Sequence, residues 1–212
     1  VINAAAQVGG IQFNMDQPGL LFYSNASMGL HLLEAARLEK VERFILTSST
    51  CVYPREAPVP TTEDHGLVDE PERSNIGYGW AKRVEELAAR FYVEQYGMKV
   101  SVVRPTNLYG PWDHFDPAIS HVIPALIRRT LESDGTLEVW GSGTQTRSFL
   151  HVKDAANGLL AAGEQLSTGD PVNIGTDEEV TIRQLVAIII SATGHDVEPR
   201  FDINKPEGQP RK

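Results

Sequence analysis

The chain has 212 residues, 41% hydrophobic and 22% charged, with a formal net charge of −9, a globular composition that can bury a sizeable core. That acidic balance argues against a general nucleic-acid or membrane-surface binder. A single cysteine excludes an internal disulfide framework and fits a reducing compartment. No apolar run approaches the ~18 residues of a membrane span, and the N-terminus does not read as a signal peptide, so the expected location is cytoplasmic. In chain order, Val1 to Ala6 reads as the end of a buried strand. A helix follows between about Pro18 and Glu39, with Leu32, Leu33, Ala35 and Ala36 on its apolar face. Phe44-Ile45-Leu46 is a short buried strand running into Thr47-Ser48-Ser49-Thr50, and Pro54 to Glu72, rich in Pro, Asp and Glu, is a surface loop. Ile76 to Tyr96 is helical and closed by Gly97 at C′; Val100 to Val103 is a strand stopped by Pro105. Strand, helix, strand, helix, strand predicts a parallel sheet with helical crossovers. Further on come a helix over Ile119 to Leu131, a strand over Leu137 to Trp140, and helices near Val152–Ala162 and Ile182–Ala192.

Tyr78 and Lys82 are four residues apart on the second long helix, which stacks phenol and ammonium on one face. An ammonium there favours the phenolate, so Tyr78 is expected to exchange a proton near neutral pH. Chance produces such a spacing fairly often, and the neighbouring strand ends supply the context. Ser49 ends one strand and Arg104-Pro105-Thr106-Asn107-Leu108-Tyr109-Gly110-Pro111 ends the next. Ligands of open α/β sheets bind at carboxyl strand ends, so all three segments are expected to face one crevice. A dinucleotide site also needs a glycine-rich turn after its first strand. Gly9-Gly10 lacks the third glycine, and Gly141-Ser142-Gly143 lies far downstream.

The order Ser, Tyr-x-x-x-Lys, Arg-Pro-x-Asn-x-Tyr-Gly-Pro resembles the extended short-chain dehydrogenase/reductases of nucleotide-sugar metabolism. Val8-Gly9-Gly10-Ile11, Ser48-Ser49-Thr50-Cys51-Val52-Tyr53-Pro54, Ser120-His121-Val122-Ile123-Pro124 through Arg129, Trp140-Gly141-Ser142-Gly143-Thr144 and Lys205-Pro206-Glu207-Gly208 are similar to the GDP-L-fucose synthase family. The resemblance implies an α/β fold, a Rossmann-like doubly wound parallel sheet with a small α/β substrate-binding domain. Residues 1–112 would form the cofactor domain and 113–212 mainly the substrate domain, with 148–180 returning to the sheet. It also implies that a glycine-rich loop precedes this chain and a tail follows it. Gly77 stands where that family more often has Pro or Ala.

The implied reaction epimerises C3 and C5 of GDP-4-keto-6-deoxy-D-mannose and reduces C4 with NADPH, NAD being the less favoured cofactor. By resemblance the catalytic residues are Ser49, Tyr78, Lys82, Cys51 and His121, with Cys51 the base and His121 the acid. Ala5, Thr47, Ser48, Pro105, Thr106, Asn107 and Leu108, with Ser49, Tyr78, Lys82 and His121, would hold the cofactor. Asn107, Arg129, Trp140, Arg147 and Glu207 would hold the GDP-sugar. Arg128 and Arg129 are adjacent, so only one is expected to face the crevice. No metal is expected; a homodimer pairing the helices near 18–39 and 76–96 is. The alternatives are a nucleotide-sugar 4-epimerase, which uses the same Ser-Tyr-Lys set and NAD without a C3/C5 acid–base pair, and a truncated, non-catalytic remnant.

Overall fold

A computed structural model describes residues 1–205 and 209–211. The first half runs β1 (Ile2–Asn3), α1 (Ile11–Asp16), α2 (Pro18–Leu38), β2 (Phe44–Thr47), α3 (Ile76–Tyr96) and β3 (Val100–Pro105). The second runs β4 (Asn107–Tyr109), α4 (Val122–Glu132), β5 (Thr136–Trp140), β6 (Thr146–Arg147), β7 (Phe149–His151), α5 (Val152–Gln165), β8 (Thr168–Ile174), β9 (Val180–Thr181), α6 (Ile182–Thr193) and β10 (Glu198–Asp202). Four strands form the main sheet in the order β1-β2-β3-β8, every neighbouring pair parallel.

Period-two alternation explains how this sheet is covered on both faces. Phe44, Leu46, Val100 and Val102 pack against Leu33 and Ala36 of α2 and Ala89 of α3. The alternate residues Ile45 and Val103 pack on Ala162 of α5. Ser101 shares that second face, and its hydroxyl lies 3.1 Å from the Ala162 carbonyl and 2.7 Å from that of Leu166. A polar group buried in the sheet is thereby satisfied.

The second core lies beyond the sheet's carboxyl edge. Leu126 of α4, Leu137 and Val139 of β5 and Ile182, Leu185, Val186 and Ile189 of α6 form one buried cluster. β10 pairs with β5 in parallel from Glu198↔Thr136 to Asp202↔Trp140. α6 begins with a capping box between Thr181 and Gln184 and ends at Gly194 in the left-handed region, both ends satisfying otherwise orphaned backbone groups.

Three boundaries differ from expectation. β1 comprises only Ile2 and Asn3, and Val1 and Ile2 are exposed. Among the described residues, only β2 pairs with β1. α4 begins at Val122 rather than Ile119: proline is tolerated in a helix's first turn but not in its interior, and the later start puts Pro124 in that turn. The loop after β2 is partly built in, with a 3-10 turn at Glu63–Leu67 whose Gly66 is buried.

Gly77 has a geometric reason. α3 starts so close to the start of α2 that a Cβ at Gly77 would collide with the Pro18 carbonyl. Gly77→Ala should cost about 1–3 kcal/mol through overpacking, measured by urea unfolding. Gly19, with nothing within 4 Å of its Cβ position, should be neutral or slightly stabilising as Ala, since the helix propensity gain is unopposed.

Candidate active site

The carboxyl ends of the main sheet and the second core enclose a cavity of about 1150 Å³. Thr47, Ser48, Ser49, Cys51, Tyr78, Pro105, Thr106, Asn107, Leu108 and His121 line it. So do Arg129, Trp140 and Arg147 from the second half. The expected site residues thus meet around one space, with three exceptions. Ala5 is exposed and does not line the cavity, whereas Ala4 and Ala6 do. Lys82 is sealed beneath the wall. Glu207 lies outside the described residues.

Ser49 and Cys51 are placed by a 3-10 turn at Thr50–Val52, where the Ser49 Oγ caps the turn by accepting from the Cys51 N–H at 3.1 Å. α3 presses onto this turn at Gly79, where a Cβ would sit 2.5 Å from the Cys51 carbonyl oxygen. That approach brings the Tyr78 phenol into hydrogen bonding with Ser49. Burial raises the phenol's pKa well above its ordinary value; the neighbouring charges of Cys51 and Glu85 add to the rise, and the Ser49 bond partly opposes it.

Lys82 does not lower it, contrary to expectation. Its Nζ sits 5.7 Å from the Tyr78 ring centroid but donates to Glu85 Oε2 at 3.0 Å, with both side chains 2% exposed. A carboxylate this close offsets the field of the ammonium at the phenol. Burial raises Glu85 itself to about 7, with Lys82 pulling the other way.

A buried network fixes the strand ends beneath the cavity. Arg104, 1% exposed, donates from Nε and Nη2 to the two Glu86 oxygens at 2.9 and 2.6 Å. Its Nη1 reaches the Tyr53 hydroxyl at 2.9 Å and the Glu63 carbonyl at 2.8 Å. Ser48 Oγ donates to Glu86, and the Tyr53 hydroxyl donates to Asn173 Oδ1 at 2.6 Å. Glu85, Glu86 and the paired role of Arg104 were not anticipated; their one sequence signal is adjacent carboxylates directly after the Tyr-x-x-x-Lys spacing.

The opposite wall is more open. His121 sits at the N-cap position of α4 without a side-chain capping bond, its side chain 46% exposed and its Nδ1 3.6 Å from Asp113 Oδ1. Asn107 is anchored by its Nδ2 to the Ser148 carbonyl at 3.0 Å. Both Arg128 and Arg129 line the cavity, correcting the expectation that only one could. They diverge by about 100° on the helix, yet their arms are long enough to reach the space from either side. Arg129 donates to the Glu138 carbonyl, and burial lowers its pKa. Arg147 donates to the Thr146 carbonyl at 2.7 Å. Among the described residues, no cluster of three or more His, Cys, Asp or Glu could hold a metal, and no helix is long and apolar enough to cross a membrane.

The family model for the NAD dependent epimerase/dehydratase family matches residues 1–175. The GDP-L-fucose synthase of Sinorhizobium fredii is 38% identical over 216 residues, covering 100% of this chain and 69% of that protein. Among solved structures, a GDP-L-fucose synthetase from Naegleria fowleri bound to NADP superposes with a TM-score of 0.88 at 28% identity, covering 100% of this chain and 67% of the other. A UDP-glucose 4-epimerase from Thermotoga maritima gives 0.88 at 27%, covering 100% and 66%.

The Glu85 environment has a consequence for stability. A carboxyl whose folded pKa lies above its ordinary 4.5 contributes stability that is full below about pH 4.5 and lost as pH rises through 7. Relative to Glu85→Gln, the parent chain should therefore lose on the order of 2–3 kcal/mol between pH 4.5 and pH 8. Urea unfolding of both at several pH values checks this; a constant difference would contradict the raised pKa.

Proposed function

The chain belongs to the NAD dependent epimerase/dehydratase family, and from that premise we propose that it acts as an NADPH-dependent GDP-4-keto-6-deoxy-D-mannose 3,5-epimerase-4-reductase. The observation that carries this reading is one cavity lined by Ser49, Tyr78, Cys51 and His121 together. Relatives named GDP-L-fucose synthase, 38% identical across the whole chain, support it.

Residues at the strand ends fit a dinucleotide. The Thr47 and Thr106 hydroxyls and the Asn3 amide nitrogen are buried without a hydrogen-bond partner among the described residues. The two threonines line the cavity, and buried polar groups left open at strand ends suit a polar ligand. With Ser48, Pro105, Asn107 and Leu108 they would hold the nicotinamide end, and Lys82 its ribose, in competition with Glu85 for the same ammonium. When bound, NADPH supplies the hydride for C4 of the sugar.

The chain's own groups supply the proton chemistry. A ketone at C4 acidifies the C–H bonds at C3 and C5. Cys51, as thiolate, would take the proton from carbon, leaving an enolate, and His121, as imidazolium, would return one from the opposite face. Ser49 and Tyr78 would donate hydrogen bonds to the C4 oxygen and hold the enolate charge. Tyr78 then gives its proton to the C4 alkoxide; its raised pKa keeps that proton in place at neutral pH until the alkoxide forms. Arg129 and Arg147 suit the pyrophosphate through paired N–H donors, and Trp140 completes the nucleotide wall.

In this reading residues 1–112 and 148–180 serve the cofactor and the remainder mainly the sugar. A shallow apolar depression lined by Phe22, Ile76, Trp80 and Val84 on α2 and α3 supports pairing of two copies through these helices.

The 4-epimerase alternative uses Ser49, Tyr78 and Lys82 but has no task for Cys51 or His121. Tyr78→Phe should lower the rate of NADPH oxidation with the keto sugar by ~10²–10⁴-fold, the range for a lost general acid. Cys51→Ser and His121→Asn should each suppress formation of the fucose configuration, assayed by NMR of the product. Full fucose-forming activity in the Cys51→Ser/His121→Asn double variant would rule the epimerase–reductase reading out.

A further inference from the structure

Gln145 lies just before β6 and lines the cavity between Trp140 and Arg147. Its backbone carbonyl accepts from the Ile182 N–H at 3.0 Å, which ties the residue to the first turn of α6. The backbone therefore does the anchoring, and the fold makes no use of the carboxamide oxygen. Gln145 is 6% exposed, yet its Oε1 accepts no hydrogen bond among the described residues. A buried carbonyl oxygen with both lone pairs idle bears the full loss of its hydration. In a residue lining a cavity, that loss is recovered when a ligand brings the donors.

The neighbouring groups indicate which part of a ligand comes here. Trp140 presents a half-buried indole to the same cavity, with Lys205 Nζ 5.6 Å from its centroid. An aromatic face stacks nucleobases without regard to sequence, and arginine suits phosphate. Stacking fixes the plane of a base, and an amide beside it reads the edge.

We propose that Gln145 is a specificity-determining residue for the nucleobase of the nucleotide sugar, its Oε1 accepting hydrogen bonds from the adjacent N1 and N2 donors of guanine. Guanine presents two donors side by side and can satisfy both lone pairs. This inference rests on the nucleotide-sugar reading of the cavity.

Calorimetric titration of the full chain with GDP, ADP and inorganic pyrophosphate tests it, in the parent, Gln145→Met and Gln145→Glu. The methionine keeps the length of the side chain without the acceptor, and the glutamate keeps acceptor oxygens. Gln145→Met should weaken GDP binding ~10-fold or more, as for a donor pair left unmet, with pyrophosphate binding unchanged. Gln145→Glu should keep the preference for GDP over ADP. Undiminished GDP binding by Gln145→Met would overturn the inference alone. So would a parallel loss of GDP and pyrophosphate in both variants, which would mark a purely structural residue. A parent chain that binds neither GDP nor pyrophosphate would overturn the nucleotide-sugar reading and this inference with it.

Discussion

Arg104 is a guanidinium sealed under the strand ends, and a buried cation must be paired and hydrogen-bonded if the fold is to keep it. Glu86 of α3 takes two of its nitrogens, and the Tyr53 hydroxyl and the Glu63 carbonyl take the third. The partners come from two segments, α3 and the loop after β2. One side chain therefore clamps the end of β3 to the helix that carries Tyr78, to the loop after β2 and, through Asn173, to β8. Ser48 bonds to the same Glu86, so the turn bearing Ser49 and Cys51 is referenced to the network that orients Tyr78. Removing one partner of such a pair leaves the other buried and unpaired, typically at about 3–5 kcal/mol. The relative positions of the reacting groups thus depend on an ion pair that is not itself part of the cavity lining.

Above that clamp the site divides its acid–base work among three groups. Tyr78 is half-buried, and its pKa is driven up first by desolvation and then by nearby negative charge. A group held protonated in this way suits donation to an oxyanion that appears only during reaction. Lys82 would counter the rise if its charge stood alone, but Glu85 lies 3.0 Å from it. Cys51 is half-buried as Tyr78 is, and His121 is more open, with its side chain 46% exposed. A group that must gain and lose its proton within one turnover benefits from access to water, which His121 has.

Much of this was legible in the sequence where local rules decide the structure. α3 runs from Ile76 to Tyr96 with Gly97 in the left-handed region, because helix-forming residues end at a glycine able to adopt that cap. The strand ends carrying Ser49 and Asn107 followed from short apolar runs broken by polar residues and proline. The clamp was not legible. Glu85 and Glu86 sit in a charged, amphipathic stretch that reads as a solvated helix face, and only tertiary packing buries them. Arg104 read as part of a strand-end motif, with no sign that its side chain turns inward. Gln145 was invisible for a related reason: an amide between small polar residues looks like a loop until its burial and its unused oxygen are known. The start of α4 depends on Pro124, which a helix tolerates in its first turn but not in its interior.

The most direct test of hydride and proton transfer converging on one sugar ring is the isotopic composition of the product. The reaction is run with the keto sugar and NADPH deuterated at C4 of the nicotinamide in ordinary water, then with ordinary NADPH in deuterium oxide. NMR should find deuterium at C4 of the sugar in the first product and at C3 and C5 in the second. Label at C4 without exchange at C3 and C5 would contradict the roles given to Cys51 and His121, and absence of label at C4 would contradict hydride transfer in this cavity.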